Sequence, residues 1–183
     1  MVWSVDSPNL TPTSYVVLGC LALAGPATPY GLKQTVAGSI GYFWSFPHSQ
    51  LYSEPERLAR AGLVTEQRED RGRRRRTYAI TDAGLAALKA WVVTPTDELP
   101  QIRDIGMLKL YFGSIADGEQ LAELARVRTD AHRRRRELYS EAAAGHDSGP
   151  GIRAGEALAL RFGIAFEDAS IAFWGSLAKG LND

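Results

Sequence analysis

The sequence predicts a mainly α protein in two domains, with a single two-stranded hairpin in the first. Three observations predict it. Apolar residues recur at helical spacing in segments opened by Thr-Pro or Ser and closed by Gly. One stretch alternates around a charged turn as a hairpin does. A polar connection bracketed by Pro95 and Pro100 divides the chain. With 183 residues, 45% hydrophobic and 23% charged, the composition is that of a globular protein of one large or two small domains.

Residues 1–11 lack periodicity and contain Pro8 and Asn9, so an extended arm is expected there. Thr11 and Pro12 open a first helix, the threonine as cap and the proline as a first-turn residue. It is apolar nearly all round and ends at Gly25-Pro26. Thr28 and Pro29 open a second helix reaching about Ile40, followed by a turn through Gly41, Tyr42, Phe43 and Trp44. Residues 47–61 form the third, with Leu51, Pro55 and Leu58 on one face, Ser49, Ser53, Arg57 and Arg60 on the other, and Gln50 at the edge. An interior Pro55 costs about 3 kcal/mol. A start at Ser53, with Glu56 completing a capping box, avoids most of that but leaves Leu51 and Tyr52 unplaced, so one helix kinked near Pro55 is expected.

Leu63-Val64-Thr65 then runs into charge, turns at Asp70–Arg73 and returns as Thr77–Ile80. Thr81 or Asp82 caps a fourth helix with Leu85, Leu88, Trp91 and Val92 as its stripe. Residues 12–93 are thus one domain and 94–183 a second. The second contains a short helix, Ile102–Phe112, stopped by Gly113, then a long one, Asp117–Ala144, with Leu124, Ala131 and Leu138 seven residues apart. After a turn over Gly145–Gly151, Ile152–Leu181 carries Leu158, Phe162, Phe166, Ala169, Phe173 and Leu177 at four- and three-residue steps, with Trp174 on a second flank. So much apolar surface needs a second subunit as cover. Leu124, Ala131, Leu138, Leu158, Phe162, Phe166, Phe173, Trp174 and Leu177 are the expected dimerisation residues.

Net charge is zero, but it is unevenly spread: residues 1–93 hold ten Lys/Arg against seven Asp/Glu, and residues 94–183 eleven against fourteen. The first half is therefore the candidate nucleic-acid face. Cys20, the single cysteine, lies in an apolar run and reads as a small buried hydrophobe. The longest apolar run, Val16–Gly25, is about half of what spans a bilayer. No signal peptide is evident, and a cytoplasmic protein without membrane contact is expected. His48, His132 and His146 lack metal-ligand spacing, and there is no phosphate loop or nucleophile elbow, so neither an enzyme nor a cofactor is expected. Asp104, Glu167 and Asp168 are expected as surface carboxylates, and the Arg133–Arg136 run as solvated helix, with Arg133 paired to Glu137.

Three helices, a hairpin and a closing helix make a winged helix-turn-helix with a two-stranded wing, followed by a helical dimerisation domain. In that fold the third helix enters the major groove of double-stranded DNA. Ser49, Gln50 and Ser53 suit base edges there, Gln50 by bidentate pairing with adenine, and Tyr52 reaches a phosphate or a base edge. The hairpin arginines, Arg71, Arg73 and Arg74 among them, suit phosphates or a narrow minor groove. A winged-helix module that meets an acidic protein without specific DNA binding is the other function of this pattern.

Residues 14–93 resemble the PadR family of transcription regulators. The resemblance rests on Tyr15-Val16-Val17-Leu18-Gly19, Pro29-Tyr30-Gly31-Leu32, Ser49-Gln50-Leu51-Tyr52, Ala61-Gly62-Leu63-Val64 and Tyr78-Ala79-Ile80-Thr81-Asp82-Ala83-Gly84. The Ser-Glu-Pro-Glu-Arg-Leu string is similar to the branch with a virulence-activator-type helical C-terminal domain. The resemblance implies a homodimer on a palindromic operator, the arm of residues 1–11 packed on the partner, repression as the usual outcome, and an aromatic small-molecule effector. It adds Tyr30 and Lys33 to Ser49, Gln50, Tyr52, Ser53, Arg71, Arg73 and Arg74 as DNA-contacting positions.

Overall fold

A computed structural model describes residues 9–37, 40–42, 44, 49–69, 75–145 and 152–181. The chain divides into two compact units, Met1–Asp97 and Glu98–Asp183. Most of the expected arm, the start of the expected third helix at 47 and 48, the wing tip and most of the 145–151 turn lie outside the described residues.

The first unit is built around α1 (Pro12–Ala24), which packs against three other helices and the hairpin. A capping box starts it: the Thr11 N–H donates to Ser14 Oγ at 2.8 Å, and the Thr11 hydroxyl accepts from the Ser14 N–H at 3.4 Å. Val17, Leu18 and Leu21 are buried along it. The second helix, α2 (Pro29–Ala37), opens on Thr28, whose hydroxyl accepts from the Gly31 N–H at 3.1 Å. It ends before the expected Ile40, which instead begins a 3-10 turn, Ile40–Tyr42.

The third helix, α3 (Gln50–Arg60), passes unbroken through Pro55. Of the two parses, the one that includes Leu51 holds, though the helix begins at Gln50 with Ser49 outside it, later than the expected 47. Leu51 lies within the helix, buried with Pro55 and Leu58, and burial of the proline ring offsets the hydrogen bond it cannot make. Gly62 follows at φ +74°, a left-handed conformation that favours glycine, and releases the chain into the hairpin.

The hairpin strands β1 (Val64–Arg68) and β2 (Arg76–Ile80) are antiparallel, with Val64 opposite Ile80 and Arg68 opposite Arg76. Ala27, between α1 and α2, adds one bridge to β2. Its N–H donates to the Tyr78 carbonyl at 3.0 Å, and its carbonyl accepts from the Tyr78 N–H at 2.9 Å. Then comes α4 (Asp82–Val93), capped by the Thr81 hydroxyl, which accepts from the Gly84 N–H at 3.1 Å and donates to the Gly62 carbonyl at 2.9 Å. This order of elements is a winged helix.

In the second unit, α5 (Ile105–Tyr111) is shorter than expected because Asp104 caps it, its Oδ1 accepting from the Gly106 N–H at 2.6 Å. A 3-10 turn, Gly113–Ile115, leads to α6 (Gly118–Gly145) and α7 (Ile152–Gly180). These long helices are antiparallel: Thr129 meets Gly175, His132 meets Glu167 and Tyr139 meets Gly163. A Cβ on Gly163 would stand 3.0 Å from the Tyr139 ring, so glycine permits the close crossing.

This packing corrects part of the dimerisation set. Trp174 is only 2% exposed; it forms the unit's own core with Ala125 and Ala178, and Leu124 and Leu177 pack on that core. Its indole is covered by α6 of the same chain and is not presented to a partner. Leu138, Leu158, Phe162, Phe166 and Phe173 are exposed, Phe162 at 72%, and Ala131 is half-buried.

A Cβ built on Gly84 would run into the Leu63 carbonyl oxygen. Gly84→Ala is therefore expected to destabilise the winged helix by about 1–3 kcal/mol, as overpacking does. Urea melts of the two proteins check this.

Candidate nucleic-acid interface

Two cross-helix contacts set the face that α3 presents. Glu54 is buried, and its carboxylate is shared between helices: the Ser14 hydroxyl donates to Oε1 at 2.6 Å, while Arg57 donates to Oε1 at 2.6 Å and to Oε2 at 3.0 Å. Arg57 also donates to Ser14 Oγ at 2.9 Å, so that hydroxyl gives one bond and accepts from both Arg57 and Thr11. Burial pushes the Glu54 carboxyl up, but the hydrogen bonds from Arg57 and Ser14 and the Arg57 charge outweigh it and hold the group below its ordinary value of 4.5. The second contact is from the buried Thr13, whose hydroxyl donates to Gln50 Oε1 at 2.7 Å.

With α3 held this way, Ser49, Gln50, Tyr52 and Ser53 are all exposed at its N-terminal end, Tyr52 at 48%. Two expectations change. Arg57, assigned to the solvent face, is half-buried in the Glu54 pair, and Gln50, assigned to adenine through both ends of its amide, already has its oxygen engaged by Thr13. Tyr30 and Lys33 lie on α2, which packs against α3. Tyr30 is 61% exposed, and its phenol oxygen accepts from Gln34 Nε2 at 2.9 Å; Lys33 is half-buried.

The hairpin arginines divide by partner. Arg68 donates to Glu66 at 2.6 Å, and Arg76 pairs with Glu56 of α3, which fastens the turn end of the paired strands to that helix. Arg75 is exposed, and beyond the strands its carbonyl accepts from the Glu69 N–H at 3.1 Å. Arg71, Arg73 and Arg74 lie outside the described residues.

The sequence reading missed the Ser14–Glu54–Arg57 cluster. Its traces were a serine in an otherwise apolar helix and an acid three residues before an arginine. A second missed cluster lies in the other unit. Asp104 pairs with Arg128, Arg128 meets His132 Nε2 at 3.1 Å, and His132 Nδ1 meets Glu167 Oε2 at 2.5 Å. Glu167, expected at the surface, is 1% exposed. The Arg128 guanidinium also lies over the Trp174 ring, 5.5 Å from its centroid. Of the second arginine run, Arg133 pairs with Asp130 at 3.1 Å rather than Glu137, and Arg136 with Asp168 of α7 at 2.5 Å. Among the described residues no His/Cys/Asp/Glu group could hold a metal ion, and no helix is long and apolar enough to cross a membrane.

A winged helix with an exposed polar reading helix defines a class of DNA-binding folds, and comparison with known proteins narrows it. Residues 17–90 match the transcriptional regulator PadR-like family, and residues 102–181 match the virulence activator alpha C-terminal family. The chain thus carries a PadR-like domain followed by a virulence-activator-type C-terminal domain. It is 30% identical over 112 residues to the negative transcriptional regulator PadR of Bacillus subtilis, a match spanning 60% of this chain and 61% of that protein's length.

Structures of Bacillus subtilis PadR share the fold. In complex with operator DNA the TM-score is 0.82 at 22% identity, covering 93% of this chain and 99% of that one. In complex with p-coumaric acid it is 0.78 at 21% identity, covering 95% and 99%. The Vibrio cholerae virulence activator AphA gives a TM-score of 0.67 at 29% identity, covering 92% and 97%.

Glu54 supplies a pH test. A lowered folded-state value means that its contribution to stability is full above the ordinary 4.5 and is lost as pH falls through the lowered value. Glu54→Gln is expected to cost about 1.5–3 kcal/mol at pH 7, as loss of a charged hydrogen bond does. The gap between the two proteins should close as urea melts are carried from pH 5 down toward pH 3.

Proposed function

We propose that this chain is a homodimeric, sequence-specific DNA-binding transcription regulator that represses its target promoter and responds to an aromatic small molecule. It acts in the cytoplasm and catalyses no reaction. The observation that carries this reading is the exposed polar face at the N-terminal end of α3, the end of a reading helix that meets base edges in the major groove. Ser49, Gln50, Tyr52 and Ser53 touch bases and nearby phosphates, Tyr30 and Lys33 hold the backbone beside them, and Arg71, Arg73 and Arg74 clamp phosphate or minor groove from the wing.

Residues 12–93 form the DNA-binding domain and 94–183 the dimerisation domain, with the 1–11 arm against the partner. The exposed residues Leu138, Leu158, Phe162, Phe166 and Phe173 support a second copy as their cover, since so many bare apolar side chains on two helices mark an interaction surface. Two reading heads then fit a palindromic operator with half-sites roughly 34–36 Å apart or a multiple of that. Repression and an aromatic effector follow the Bacillus subtilis relative, a negative regulator whose structure with p-coumaric acid shares this fold. The effector acts through differential affinity for two dimer states.

Footprinting on the DNA flanking the protein's own gene tests the reading. Protection of a two-fold symmetric site supports it. Arg71, Arg73 and Arg74 changed together to Ala should weaken all sequences alike and lower the salt slope by about 0.9 for each phosphate that is no longer neutralised. Binding to an acidic protein with no protected duplex would point to the interaction module instead. Phe162→Asp with Phe166→Asp is expected to give monomers in sedimentation velocity and to abolish footprinting at the same protein concentration.

A further inference from the structure

The hydrogen bond from Thr13 to Gln50 settles which end of the Gln50 amide faces outward, and this bears on the base it can read. Thr13 is buried in α1, and its hydroxyl proton needs an acceptor there. Among the described residues that acceptor is Gln50 Oε1, at 2.7 Å. Turning the amide over would leave the Thr13 proton without an acceptor among the described residues, so the oxygen is held against α1. Gln50 is the first residue of α3 and is exposed, so the remaining edge of its amide, Nε2 with two protons, is the part free to meet a ligand.

Bidentate recognition of adenine uses both ends of a glutamine amide: the oxygen accepts from the base N6 amine and the nitrogen donates to N7. One lone pair of the oxygen is taken by Thr13, and with that oxygen turned toward α1 the edge presented outward is the Nε2 donor edge. In the major groove the base with two neighbouring acceptors is guanine, through O6 and N7, and donor-only side chains such as lysine select it for that reason. We propose that Thr13 sets the base specificity of Gln50, converting it from an adenine reader into a guanine reader. Thr13 is thus a positioning residue that touches no DNA, and Gln50 is the residue that reads. The inference rests on the DNA-binding function proposed above and adds the identity of one base in each half-site.

The test uses the full-length protein and a panel of duplexes in which each position of the footprinted half-site is replaced in turn by the other three base pairs. Wild type and Gln50→Ala are compared first, which locates the position whose preference depends on Gln50. Guanine is expected there, favoured over adenine by roughly three- to tenfold, the scale of a net hydrogen bond. Thr13→Val removes the donor at nearly constant volume, and it should move the preference toward adenine at that position alone. Thr13→Ser keeps the donor and should keep guanine.

A wild-type preference for adenine at the Gln50-dependent position would overturn the inference, as would a guanine preference that survives Thr13→Val unchanged or the absence of any Gln50-dependent position. Should Thr13→Val fail to fold, the wild-type base at that position decides alone. Failure of wild type to select any duplex would instead remove the DNA-binding function on which the inference stands.

Discussion

A carboxylate enclosed between two helices has to be neutralised where it lies, and the geometry of the first unit follows from how this is done at Glu54. Its partners come from both sides, Arg57 on its own helix and Ser14 on α1, and the Ser14 hydroxyl also accepts from the Thr11 N–H that starts α1. One knot therefore ties the beginning of α1 to the middle of α3. It fixes the rotational phase of α3 about its axis, because roughly 100° of turn per residue leaves little freedom once one side chain is pinned. Leu51, Pro55 and Leu58 then face the core, while Ser49, Tyr52 and Ser53 face out. An apolar residue in place of Glu54 could pack as well, but it would not specify that phase so narrowly.

The second unit solves a different problem. On the two long antiparallel helices the buried apolar residues are Ala122, Ala125, Tyr139, Trp174 and Ala178, few of them large, and a charged chain from Asp104 to Glu167 occupies part of their interior. Much of the apolar material on α7 stays outside. The same helix thus has two stripes with different destinations: Trp174 is enclosed, while Phe162 and Phe166 remain bare. Burial within one chain is met by the first stripe alone.

What could be read from the residues alone depended on how local the physics was. Helix starts at Thr11-Pro12, Thr28-Pro29 and Thr81 were legible because a cap and its N–H lie within three residues of each other. The hairpin was legible because its register is set by a short run on either side of a turn. The burial of Glu54 was not, since its second partner, Ser14, stands 40 residues away, and nothing in the spacing of Glu54 and Arg57 separates a surface pair from an enclosed one. The same holds for Gln50, whose chemistry is altered by Thr13, and for His132 with Glu167, 35 residues apart. Periodicity identified the apolar positions of α7 correctly but could not say which helix covers each stripe, and so Trp174 was grouped with Phe162. The third helix was legible in its apolar face and less so at its start, where proline chemistry allowed two beginnings.

Asp104 does two jobs with its two oxygens. Oδ1 closes the open amides at the start of α5, and Oδ2 holds Arg128 of α6. A helix of seven residues is far below the length that sustains itself in water. The order of α5 consequently comes from its neighbours, through this carboxylate and through Leu110, which packs on the Trp174 core, and Gly106 leaves room for the guanidinium at the point where α5 and α6 meet. One side chain therefore serves both as the first-turn cap of a short helix and as the counter-ion of a long one, so the position of α5 along α6 is set by a single residue's two oxygens.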